Sequence, residues 1–73
     1  MELQRRLESP KYLQAVLVSQ TLLGNYPAVA ARGETSYADI VRTIRKMGIS
    51  YGVPDIAQLA SQYLYEKGVK VWR

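Results

Sequence analysis

The sequence predicts an all-α protein, a small bundle of three main helices with short accessory helical turns. Three observations predict it. Residues 10–23 are more apolar than any other stretch of the chain. Residues 36–47 and 54–67 each gather their apolar side chains on one stripe at helical spacing. Glycine or proline stands between these segments, where helices stop and start. A chain of 73 residues makes one domain, near the lower size at which a single core suffices without staples.

Residues 1–8 carry the pattern of two helical turns. Leu3 and Leu7 share a face, and Glu2 precedes Arg6 by four positions in the favourable orientation. Ser9 and Pro10 then open a new helix, since Ser can cap and Pro loses nothing at the first helical position. Pro also disfavours helical geometry in the residue before it, so a break is expected here rather than a bend.

Residues 10–23 form the element the rest is built around. At about 100° per residue, Leu13, Val16 and Leu17 make one stripe. Tyr12, Ala15, Val18, Leu22 and Leu23 fall around much of the remaining circumference. A helix apolar on most sides needs cover on most sides. The expectation is that Leu13, Val16 and Leu17 face the bundle, so that Leu17→Ala costs about 2–5 kcal/mol. Val18 and Leu22 are expected on the far side. Gly24 and Asn25, both tolerant of positive φ, should end the helix.

Pro27 restarts the chain, and the stretch to Arg32 is long enough for one or two turns before Gly33. Residues 36–47 follow, with Ser36 and Asp39 spaced as a capping box. Tyr37, Ile40, Val41, Ile44 and Met47 make the apolar stripe of this helix. Gly48 is its expected stop, and Ile49 can pack back on Ile44. Residues 54–67 begin with Pro54, and Asp55 stands beside the positive end of the helix dipole. Ile56, Leu59, Ala60, Tyr63 and Leu64 form their stripe. Gly68 should end this helix with Val69 against Leu64. Residues 69–73 alternate apolar and polar, which reads as an extended tail, since one strand without a partner is not a sheet.

Composition closes several chemistries. The chain has neither Cys nor His, which removes disulfides, thiolate ligands, the commonest general base and the commonest metal ligand. The six acids are scattered at places that helix capping or local pairing explains. The glycines punctuate helices and lack phosphate-cradling spacing. A non-enzymatic protein without cofactor, metal or small-molecule substrate is therefore expected. The apolar run at residues 12–23 is too short to span a bilayer and is broken by Gln14, Ser19 and Gln20. No signal-peptide pattern opens the chain. The reading is of a soluble, cytoplasmic protein.

Two candidate surfaces remain. The first is a basic helix face carrying Arg42, Arg45 and Lys46, suited to phosphate contacts. Its plainer explanation is a solvated face near a helix C-terminus, where cations complement the dipole. The net charge of +4 permits an anionic partner without requiring one. Residues 36–47 and 54–67 also make a helix-turn-helix-like pair, with Gln58, Ser61, Gln62 and Tyr65 outward on the second helix. Against that, residues 48–53 exceed the usual turn length, and the reading helix has few cations.

The second surface is apolar. Two amphipathic helices cannot sheath an element that is apolar nearly all round, and contiguous exposed apolar patches commonly mark interfaces. Val18 and Leu22, with Trp72 as an anchor, are the expected protein interface. Of the six tyrosines, Tyr12, Tyr37 and Tyr63 belong to or beside apolar stripes. Trp72 is expected to fold back on the bundle. The leading functional expectation is a small protein–protein interaction or regulatory module, self-associating as a homodimer or docking another protein. The alternative is a nucleic-acid-binding regulator using the basic face.

Overall fold

The computed structural model describes residues 10–73. In chain order these form α1 (Pro10–Asn25), α2 (Pro27–Arg32), β1 (Glu34–Ser36), α3 (Tyr37–Lys46), α4 (Val53–Glu66) and β2 (Lys70–Trp72). The main helices α1, α3 and α4 pack together, and a small two-stranded sheet stands beside them. The turns expected at residues 1–8, with Leu3 and Leu7, lie outside the described residues.

Local chemistry sets most of the boundaries. The Ser36 hydroxyl accepts a hydrogen bond from the Asp39 amide at 3.2 Å and caps α3. Both α3 and α4 end the same way. Gly48 and Gly68 take the left-handed conformation, with φ of 81° and 85°. The next amide then turns back: Ile49 donates to the Ile44 carbonyl at 3.3 Å, and Val69 to that of Leu64 at 2.8 Å. This closes orphan carbonyls and brings an apolar residue onto the last turn, as a Schellman ending does. α1 ends at Asn25, within the expected Gly24–Asn25 stop, but Gly24 itself stays helical without a positive φ.

Residues 69–73 are not an unpartnered tail. β2 pairs in parallel with β1, Glu34 opposite Lys70, Thr35 opposite Val71 and Ser36 opposite Trp72. The Lys70 amide donates to the Gly33 carbonyl at 2.8 Å to start the ladder. Nothing local announces this pairing. Parallel strands need a long crossover, here supplied by α3 and α4, and three residues are too few to show alternation.

The core also corrects the orientation of α1. Ala15, Val18, Ser19 and Leu22 are fully buried, against Ile40 and Ile44 of α3 and Ile56, Ala57, Ala60 and Leu64 of α4. Leu13 and Leu17, expected inward, are 49% and 55% exposed. Val18 and Leu22 are therefore core residues and cannot form an external strip. The physical reason is side-chain size. Ala15 and Ser19 on α1 and Ala57 and Ala60 on α4 are all fully buried, with Ser19 Oγ 3.4 Å from the Ala60 carbonyl, and small residues on facing helices allow close approach. A seam led by Leu13 and Leu17 would hold the helices apart. Ser19 is buried without penalty, because its hydroxyl donates to the Ala15 carbonyl at 2.8 Å and lies 3.4 Å from that of Ala60.

Candidate interaction site

The outward face of α1 is the least expected surface of the molecule. Leu13, Leu17, Gln20 and Gly24 are all exposed and follow one another at spacings of four, three and four. Leu13 to Gln20 and Leu17 to Gly24 each span seven positions, the heptad repeat of a coiled-coil seam. Val16 and Thr21 flank the ridge, half-buried. Its length from Leu13 to Gly24 is about 16 Å at 1.5 Å per residue. Lys11 is the single charged residue of α1, and it is drawn off the ridge. Its Nζ lies 2.8 Å from Asp55 Oδ2 at the start of α4. That hydrogen bond, followed by the carboxylate's charge, holds the Lys11 ammonium above its ordinary pKa.

Gly24 adds a second peculiarity. Open space surrounds the position a Cβ would occupy, and the backbone there is ordinary helix. Glycine costs a helix about 1 kcal/mol relative to alanine. No contact within the described residues explains its presence.

The basic face is built as the spacing implies, with Arg42, Arg45 and Lys46 exposed together on α3. Two of the three have local partners. Arg42 Nη1 donates to Asp39 Oδ1 at 3.4 Å, one turn back. Lys46 Nζ lies 3.5 Å from the Tyr26 hydroxyl and 5.9 Å from its ring centroid. Arg45 makes no ion pair among the described residues and borders a hollow with Gly48, Ile49 and Val53. Arg73 does not join this face. It sits over the Tyr37 ring, 5.6 Å from the centroid, at the far end of α3.

The outward residues of α4 are brought together elsewhere. Gln58, Ser61, Gln62 and Tyr65 line one side of a cleft of 420 Å³, with Tyr37, Val71 and Arg73 opposite or beside them. Glu66 also borders it. Trp72 lies on the sheet, 51% exposed, and walls a separate hollow with Tyr26, Arg32, Glu34 and Asp39. Its strand folds back on the bundle, while half of the indole does not. Tyr12, Tyr37 and Tyr63 are half-buried beside the stripes, and Tyr51 and Tyr65 are exposed.

Sequence reasoning missed the Leu13–Leu17 ridge as a surface and missed the cleft. The ridge was legible in one respect, since Gln20 and Gly24 continue it at heptad spacing. The cleft had no signal, because it depends on the β1–β2 pairing. No helix among the described residues is long and apolar enough to cross a membrane. Compared with known proteins, the chain matches no family model, no curated protein and no solved structure.

Proposed function

We propose that the protein is a small interaction module without catalytic activity that self-associates through the outward ridge of α1. One observation carries the reading: Leu13 and Leu17 are half exposed, side by side, on a helix face without a charged residue. An isolated solvent face of a helix ordinarily carries Lys and Glu. A second copy of the chain is the occupant this ridge suits. A two-fold axis sets the patch against itself, so the patch must not repel its own image. Among the described residues, α1 places no charged side chain along it. Heptad spacing suits a paired helix, and Gly24 lets the partner backbone approach.

The size of the ridge sets the strength. A seam about 16 Å long buries well under the ~800 Å² per partner of a standard stable interface. The association is therefore expected to be micromolar and reversible, as suits a regulatory contact. A nucleic-acid partner on Arg42, Arg45 and Lys46 has less support, because Arg42 and Lys46 are already engaged by Asp39 and Tyr26.

Sedimentation equilibrium tests the proposal. The unmodified protein should dimerise at high micromolar concentration, nearly independently of salt, and Leu13→Glu with Leu17→Glu should give a folded monomer. An unmodified protein that stays monomeric would sink the self-association. Oligomers that dissolve steeply with salt would shift the weight to the charged face.

A further inference from the structure

We propose that the cleft between α4 and the strand pair binds a single adenine base, presented as a nucleoside and not turned over. The cleft holds 420 Å³, within the range of about 300–1,000 Å³ usual for small-molecule sites. One wall comes from α4, and it is the set of outward residues that the helix-turn-helix-like spacing singles out: Gln58, Ser61, Gln62 and Tyr65. Residues that read a duplex must project into a groove about 8.5 Å deep. Here the same side chains border a hollow, which Tyr37 at the start of α3, Val71 of β2 and Arg73 just beyond it also line. A lone base can enter where a duplex cannot.

The lining chemistry selects the class of ligand. Among the described residues Val71 is the cleft's only aliphatic neighbour, which disfavours an alkyl chain. Glu66 and Arg73 carry opposite charge, so the cleft has no net sign and suits a neutral molecule. A flat ring finds stacking surface from two elements. Tyr65 of α4 is 73% exposed. Across from α4, the Arg73 guanidinium lies 5.6 Å from the Tyr37 ring centroid. Aromatic rings and guanidinium planes both serve as platforms for bases. Hydrogen bonding then chooses the base. Gln58 and Gln62 stand one turn apart on α4. A glutamine amide offers a donor and an acceptor side by side, which match the N7 acceptor and N6 donor of adenine. Guanine presents two acceptors at that edge and calls for an Arg or Lys fork. Arg73, the one cation bordering the cleft among the described residues, is placed over Tyr37 instead. Ser61 and Glu66 remain for the ribose hydroxyls.

Adenosine titrated into the isotope-labelled full-length chain, followed by nuclear magnetic resonance, tests the proposal. Saturable shifts should appear in the side-chain amides of Gln58 and Gln62 and in the backbone amides of Tyr65 and Val71. Purine riboside lacks the 6-amino group and 7-deazaadenosine lacks N7. Each should bind about tenfold more weakly or worse, because half of the glutamine amide is left unpaired. Gln58→Ala combined with Gln62→Ala should weaken adenosine by a similar factor and leave the helical circular dichroism intact, since both side chains are exposed. Tyr65→Leu, which removes a stacking surface, serves if the double variant does not fold. The absence of saturable shifts at millimolar adenosine overturns the proposal. So do analogues, or a folded variant, that bind as tightly as the originals. A short oligoadenylate that binds where adenosine does not overturns the free nucleoside as the ligand, and so do shifts confined to α1.

Discussion

The outward faces of α1 and α3 make opposite use of the same architecture. Each helix lies on the bundle with a buried stripe and a back turned outward. On α3 the back is Arg42, Arg45 and Lys46, and the division into wet and dry sides is complete. On α1 the back is Leu13, Leu17, Gln20 and Gly24, and the division is missing. An amphipathic helix needs no further partner, because each of its faces already meets the medium it prefers. A helix apolar on both faces meets only half its requirement inside the monomer. The difference teaches where to look for function: at the face whose composition the fold does not explain. The α3 back is explained by solvation and by its neighbours. The α1 back is not.

Truncating a side chain on each side of α1 separates the two faces most sharply. Leu22→Ala, on the buried side, should cost about 2–5 kcal/mol in urea denaturation. Leu17→Ala, on the exposed side, should stay within about 0.5 kcal/mol when the protein is dilute enough to be monomeric. Equal losses would mean that α1 is turned the other way. The next largest effect is on association: a Glu at position 13 and another at 17 should abolish the dimer while leaving the helical circular dichroism intact. Capping comes third. Ser36→Ala should lower stability by about 1 kcal/mol, since it frees the Asp39 amide at the start of α3.

Changing Arg42, Arg45 and Lys46 together to Gln should leave the thermal midpoint nearly unmoved, since exposed ion pairs contribute little. A large shift would show that the α3 back takes part in folding. The smallest effect is alkaline. The Lys11 pKa is raised by Asp55, so the pair's contribution is complete below the ordinary value of 10.5. It fades as pH climbs through the higher folded value. The Asp55→Asn protein should lose that part of the alkaline decline in midpoint and change little at neutral pH.

The sequence by itself determined the helices and their ends. Periodicity marked α3 and α4, Ser36 announced its cap, and Gly48 and Gly68 announced two identical endings, because each of these acts within about one helical turn. It also determined which chemistries lack their residues, since neither Cys nor His is present. The basic face was legible for the same reason, being three residues on one turn of one helix. Only the tertiary structure decided which side of α1 faces inward. Both sides are apolar, so burial alone could not choose. The choice fell to the closeness that Ala15 and Ser19 allow against Ala57 and Ala60, a property of two helices together. The tertiary structure alone also paired β1 with β2, whose partners stand 36 positions apart in the register. With that pairing came the cleft that Tyr37, Val71 and Arg73 border. Interactions that close within a turn are written in neighbouring residues; those that close across the chain depend on how the faces fit.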